Sequence, residues 1–189
     1  MRARLAAVLL GTALLAACGG DVAAAVATEQ SALPTPAATT AEPVPCETVA
    51  PTEPARPSTS TDLSQRPVVE GTDAPPPCGL VVRDVVVGQG EEVVPGAMVE
   101  VKYVGAFYET GEEFDASWNR GDDETLPFTA GGGNLIPGFD QGVLGMREGG
   151  RREIVIPSDL GYGPQGTGGI PGGATLVFVI DVVEVTAPA

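Results

Sequence analysis

Near residue 80 the chain changes character, and that change limits what can fold. From Gly19 to about Pro77 the residues are mostly Ala, Pro, Thr, Ser and Glu, as in SALPTPAATTAEPVPCETVAPTEPARPSTST. This stretch has no aromatic residue and no sustained apolar periodicity. It buries too little apolar surface to offset the entropy of ordering. Residues 18–77 are therefore expected to be a disordered, partly polyproline-like tether. As a coil such a tether reaches roughly 40–50 Å. Beyond it, β-branched runs alternate with Gly-rich turns, and residues 78–186 are expected to form one domain.

Leu80 to Val87 (LVVRDVVV) reads as a strand that stops at a turn. Ala97 to Tyr108 alternates, with Val99, Val101, Tyr103 and Phe107 on one face and Glu100 and Lys102 on the other. Short strands are expected over 113–118 and 126–130. Pro137 to Met146 is the one helix candidate: Pro suits a first turn, and Ile136, Phe139 and Val143 share a face. Gly138, Gly142 and Gly145 weaken it, so packing must hold it. Strands over 151–157, with Ile154 and Ile156 inward, and 174–185, with Leu176, Phe178, Ile180 and Val182 on one face, complete the pattern. The expectation is an α+β domain of five or six antiparallel strands, with a short helix on the concave side.

The first residues look like an export signal. Arg2 and Arg4 precede a short apolar run, Leu5 to Leu15, too short to span a bilayer permanently. Leu15-Ala16-Ala17-Cys18 resembles a bacterial lipobox, in which the signal is cut before an acylated Cys. Residues 1–17 are thus expected to be a lipoprotein signal, with Cys18 carrying palmitate-type acyl chains. Two chains give stable anchoring, and the expected location is the outer face of the cell membrane. Outside the cytosol, the remaining Cys46 and Cys78 are most simply a disulfide.

Charge and composition exclude several function classes. Of 10 basic residues, removal of Arg2 and Arg4 leaves 8 against 25 acidic ones, a formal charge of −17. Phosphate binding needs clustered Lys and Arg, so no nucleic-acid partner is expected. With no His in the chain, Ser-His-Asp and Cys-His catalysis and His-ligated zinc are ruled out. Asp122-Asp123-Glu124 lacks EF-hand spacing and reads as a solvated loop. No metal or cofactor is expected.

Successive motifs point further. Val101–Gly105 (VKYVG), Gly111–Ser117 (GEEFDAS), Leu135–Met146 (LIPGFDQGVLGM), Gly149–Pro157 (GGRREIVIP), Leu160–Gly163 (LGYG) and Ile170–Phe178 (IPGGATLVF) resemble, in order, those of the FK506-binding-protein (FKBP-type) family of peptidyl-prolyl cis/trans isomerases, or rotamases. The resemblance implies a twisted antiparallel half-barrel wrapped on one short helix. It implies a pocket in which Tyr103, Phe114, Asp115, Phe139, Tyr162 and Phe178 are catalytic, while Leu126, Leu135, Ile136, Ile170 and Arg120 bind substrate. Phe139 would be the floor under the proline ring. The Ile136 N–H and Tyr162 hydroxyl would donate to ligand carbonyls, and Arg120 would pair with the rim carboxylate of Asp115. Phe139 stands where the best-studied members carry Trp, and Leu126 where an aromatic wall is common. Both changes imply a looser pocket and weaker affinity for FK506- or rapamycin-like macrolides.

The implied partners are Pro-containing polypeptides, and the implied state is a monomer. The chemistry suits the residues: rotation about an X–Pro amide breaks no bond, so it needs no nucleophile. The alternative is a non-catalytic module that uses the same pocket to hold Pro-containing segments.

Overall fold

The computed structural model describes residues 59–188. Six strands form one antiparallel sheet: β1 (Val81–Val86), β2 (Met98–Phe107), β3 (Glu113–Ala116), β4 (Leu126–Thr129), β5 (Arg151–Ile156) and β6 (Leu176–Thr186). Their order is β1-β5-β6-β2-β3, with β4 also paired to β2. One edge of β2 pairs with β6 along its whole length, while the other is shared between β4 at its start and β3 at its end. The expected α+β architecture, an open antiparallel sheet with one short helix, is the one observed.

The alternation read from the sequence sets the concave face. Val99, Val101 and Tyr103 of β2, Ile154 and Ile156 of β5, and Leu176, Phe178, Ile180 and Val182 of β6 pack into one core with Phe139 and Val143. Pairing in register puts Phe178 opposite Gly105 and Ile154 opposite Phe178. Each full burial of such a side chain contributes about 1.5–3 kcal/mol.

The helix α1 is Pro137–Gly142, four residues shorter at its end than the periodicity predicts. Beyond Gly142 the backbone is taken by other partners. The Gly145 N–H donates to Val93 C=O at 2.9 Å, and the Val93 N–H to Met146 C=O at 2.8 Å. The Arg152 guanidinium, from β5, donates to Gly142 and Leu144 C=O at 2.8 and 2.9 Å and satisfies carbonyls that the helix end leaves free. The helix lies against β5 through its glycines: a Cβ at Gly138 would stand 2.4 Å from Cγ2 of Ile156. Gly138→Ala is therefore expected to lower stability by about 1–3 kcal/mol, because overpacking outweighs the gain in helix propensity. The urea midpoint measures this; a rise would mean that β5 yields freely.

The structure differs from expectation at residues 59–77. The sheet's convex face carries its own cluster, with Val81, Val104, Val155, Val177 and Val179, and Val69 packs into it. The chain from Thr59 lies over this face as a strap. Its anchor is Arg151, fully buried, whose Nε and Nη2 donate to the Asp181 carboxylate at 2.5 and 2.6 Å. Its remaining N–H groups donate to backbone carbonyls of the strap: Ser60 at 2.7 Å, Asp62 at 3.2 Å and Gln65 at 2.9 Å. Further along, Arg66 pairs with Glu113 and donates to Asn119 Oδ1 at 3.0 Å, and the Thr72 N–H donates to Glu109 C=O at 3.1 Å. The strap is ordered by polar anchoring more than by apolar burial, so the domain's contacts begin well before residue 78.

Cys78 is disulfide-bonded. Its expected partner Cys46, Cys18 and the expected signal lie outside the described residues. Among the described residues, no helix is long and apolar enough to cross a membrane.

Candidate functional site

The concave sheet, α1 and two loops enclose a cavity of about 190 Å³. Aromatic packing builds its base. Phe139, held by α1 and only 3 % exposed, meets Phe178 of β6 edge-to-face at 5.3 Å, Phe128 of β4 at 5.7 Å and Tyr103 of β2 at 6.3 Å. Phe114 of β3 stands edge-on to Phe178 at 5.6 Å. This close approach needs Gly105, since a Cβ there would lie 2.8 Å from both rings. Leu126, Leu135, Ile136 and Tyr162 complete the apolar wall, and Asp115 sits on the rim.

The rim is a hydrogen-bonded set. The Tyr103 hydroxyl donates to Asp115 Oδ2. Arg120 donates to Asp115 Oδ1 at 3.4 Å and to the Tyr103 oxygen at 3.3 Å. The Tyr103 N–H donates to the buried Ser117 Oγ at 3.0 Å, which ties β2 to the 3-10 turn 117–119 beneath the rim. Two donors along the wall remain unspent. Ile136 precedes α1 and gives its C=O to the helix, but its N–H has no acceptor among the described residues. Nor has the Tyr162 hydroxyl one.

Burial pushes the Tyr103 phenol above its ordinary value, and the hydrogen bond to Asp115 adds to this. Burial does the same at Tyr162, helped by the Asp115 charge. Each phenol thus keeps its proton past pH 10.0, where it ordinarily titrates. The stability tied to these groups is complete below that value and is lost as pH rises through the folded-state pKa. With no His in the chain either, turnover of an X–Pro substrate is expected to be flat between about pH 6 and 9. A bell-shaped profile centred near neutrality would contradict this.

Nine of the residues singled out from the sequence therefore line one cavity: Tyr103, Phe114, Asp115, Leu126, Leu135, Ile136, Phe139, Tyr162 and Phe178. Arg120 is outside the lining, on the rim. Ile170 is also outside it: it packs on the core from the loop 161–173, where its backbone pairs with Thr167. The sequence reading missed Asp140, buried in the first turn of α1. Its carboxylate accepts the Gly131 and Gly133 N–H groups at 2.7 and 3.0 Å and so fixes the loop that leads into Leu135. An acidic residue early in a helix after a Gly-rich run is the only sequence signal for it.

The family model for FKBP-type peptidyl-prolyl cis-trans isomerases matches residues 89–183. The chain belongs to that family. Its motif order, fold and aromatic cavity agree, and it is a peptidyl-prolyl cis-trans isomerase. An FK506-binding protein of Streptomyces anulatus is 49 % identical over 123 residues, which cover 64 % of this chain and 98 % of that protein. One from Neisseria meningitidis serogroup B is 44 % identical over 108 residues, 57 % of this chain and 96 % of that protein. The crystal structure of AtFKBP13 superposes with a TM-score of 0.53 at 37 % identity, covering 59 % of this chain and 96 % of that one. That of FkpA from Escherichia coli gives 0.53 at 38 % identity, covering 59 % and 50 %.

Proposed function

We propose that this FKBP-type isomerase catalyses X–Pro rotation in exported polypeptides, from the outer face of the cell membrane, where an acylated Cys18 holds it as a monomer. The observation that carries the assignment of the site is an apolar cavity with two unspent donors, the Ile136 N–H and the Tyr162 hydroxyl. The basic-then-apolar run from Arg2 to Leu15, which resembles an export signal, and the lipobox-like Leu15-Ala16-Ala17-Cys18 support the location.

Amide resonance sets a barrier of about 18–20 kcal/mol to X–Pro rotation, and uncatalysed exchange takes roughly 10–100 s. As the amide twists it loses its charge-separated resonance form. Apolar walls of Phe114, Phe139 and Phe178 therefore suit the twisted state better than the planar one, and this differential binding is the catalysis. The proline ring sits on Phe139, while the two donors hold carbonyls of the chain on either side. The Tyr103–Asp115–Arg120 set keeps the rim in place. The same cavity takes FK506-like macrolides, FK506 being the ligand in the names of its relatives. Phe139 as the floor and Leu126 as the wall leave more room there than larger aromatics would.

In full-length protein, Tyr162→Phe is expected to lower kcat/KM for an X–Pro peptide about two- to tenfold, the worth of one neutral hydrogen bond. An unchanged rate would remove the hydroxyl from the mechanism. Cys18→Ser is expected to move the protein from the membrane fraction to the soluble exported fraction. Retention in the membrane would reject the lipid anchor.

A further inference from the structure

Beside the cavity lies a second, wider depression of about 380 Å³ that the reaction as described leaves unused. Phe107 at the end of β2 and the Pro171–Ala174 stretch line it, with Glu109, Thr110 and Glu112 of the β2–β3 turn around it. A run of rings connects it to the cavity: Phe139 to Phe178 at 5.3 Å, Phe178 to Phe114 at 5.6 Å, and Phe114 to Phe107 at 5.3 Å. The long loop makes a second connection, because Ile170 packs on the core cluster to which Phe139 and Phe178 belong while Pro171 lines the depression.

Charge around the depression is one-sided. The turn and the start of β3 carry Glu109, Glu112, Glu113 and Asp115 and no basic residue. Two of the four are answered from elsewhere, Glu113 by Arg66 and Asp115 by Arg120. Glu109 and Glu112 are exposed and have no cationic partner among the described residues. The turn that presents them is braced. The Phe107 N–H donates to Glu112 C=O at 2.9 Å, Gly111 N–H to Phe107 C=O at 2.8 Å, and Tyr108 N–H to Thr175 C=O at 3.0 Å. The Thr72 N–H, from the strap, donates to Glu109 C=O at 3.1 Å. Two unanswered carboxylates thus sit on a fixed frame beside apolar surface that adjoins the cavity.

We propose that this depression is a subsite for one residue of the substrate polypeptide and that it selects Lys or Arg. The long side chain lays its methylenes along Phe107 and Pro171 and brings its cation to Glu109 and Glu112, the arrangement that amphipathic side chains favour. Extended chain advances about 3.3 Å per residue, so the selected residue lies roughly two to four positions from the proline. The inference rests on the neighbouring cavity being the X–Pro pocket. It adds a source of selectivity that the pocket lacks, since the pocket's apolar walls say nothing about charge further along the substrate.

The test is a set of peptides with one X–Pro bond each and Lys, Gln or Glu placed two, three or four residues from the proline, on either side. Isomerisation is followed with full-length protein at low salt. At one position the Lys peptide is expected to exceed the Glu peptide in kcat/KM by about three- to tenfold, as exposed charge pairs allow. The preference shrinks at high salt, where screening shortens the reach of both carboxylates. It falls to about unity in Glu109→Gln/Glu112→Gln and inverts in Glu109→Lys/Glu112→Lys, with urea midpoints checking that both variants fold. The same Lys-to-Glu ratio in wild type and the Gln variant at every position overturns the subsite alone. Failure of wild type to turn over the Gln peptides overturns the pocket assignment and the subsite with it.

Discussion

Arg151→Ala is expected to cost about 3–5 kcal/mol of folding free energy and to release the strap. That range is typical when one partner of a buried ion pair is removed, because the other charge is left without compensation. Here Asp181 is the abandoned carboxylate, and the strap carbonyls of Ser60, Asp62 and Gln65 lose their donor as well. Two readouts separate these losses. Urea unfolding reports the sheet, and limited proteolysis within residues 59–77 reports the strap. Arg151→Met combined with Asp181→Leu restores an uncharged interior and is expected to recover much of the urea midpoint while leaving the strap open to cleavage. An unchanged midpoint and unchanged protection in Arg151→Ala would show that the clamp is dispensable.

Phe139→Ala is expected to have the largest effect on turnover. The ring is buried among three aromatic neighbours that meet it edge-to-face, so its removal leaves a hole and lowers stability by about 3–5 kcal/mol. The floor that carries the proline goes with it. The expected loss in kcat/KM is tenfold or more, each factor of ten being about 1.4 kcal/mol of transition-state stabilisation. Phe139→Leu separates the two effects, since it keeps most of the apolar volume but not the flat surface. It should fold nearly as well as wild type and still turn over slowly. Full activity in Phe139→Leu would show that any apolar filling serves and that ring shape is irrelevant.

The sheet was legible in the sequence because its strands alternate cleanly. Phe178 and Ile180 face one way and Val177 and Val179 the other, and no competing pattern obscures them. All the cavity residues but Leu126 were legible because they stand in short motifs whose order matches the family's. Two features were not. The helix stops at Gly142 because Arg152 and the chain at Val93 take its last carbonyl and the backbone that follows it. Neither partner is visible within a window of a few residues. The strap was read as tether because its composition is poor in apolar residues, and by that measure it should stay unfolded. Its order comes from partners far along the chain, chiefly the Arg151 guanidinium, whose bond to Ser60 spans 91 positions, with Arg66 pairing with Glu113 further on. Long-range polar pairing of this kind leaves no periodic trace. Asp140 is a smaller case of the same blindness, since its two acceptor bonds depend on where a Gly-rich loop happens to pass.

The strap also decides how the molecule takes a load. It crosses the face that carries Val177, Val179 and Asp181, whereas Phe178 and Phe139 look out from the other. A pull on the chain ahead of Thr59 therefore enters through Arg151 at the middle of the sheet, on β5 and β6, where each strand is paired on both edges. Force delivered there acts across many ladder hydrogen bonds at once instead of peeling an edge. The helix and the aromatic cavity stand off that line, on the far side of the sheet. The domain can be held by its back while its working face stays undistorted and open to a passing chain.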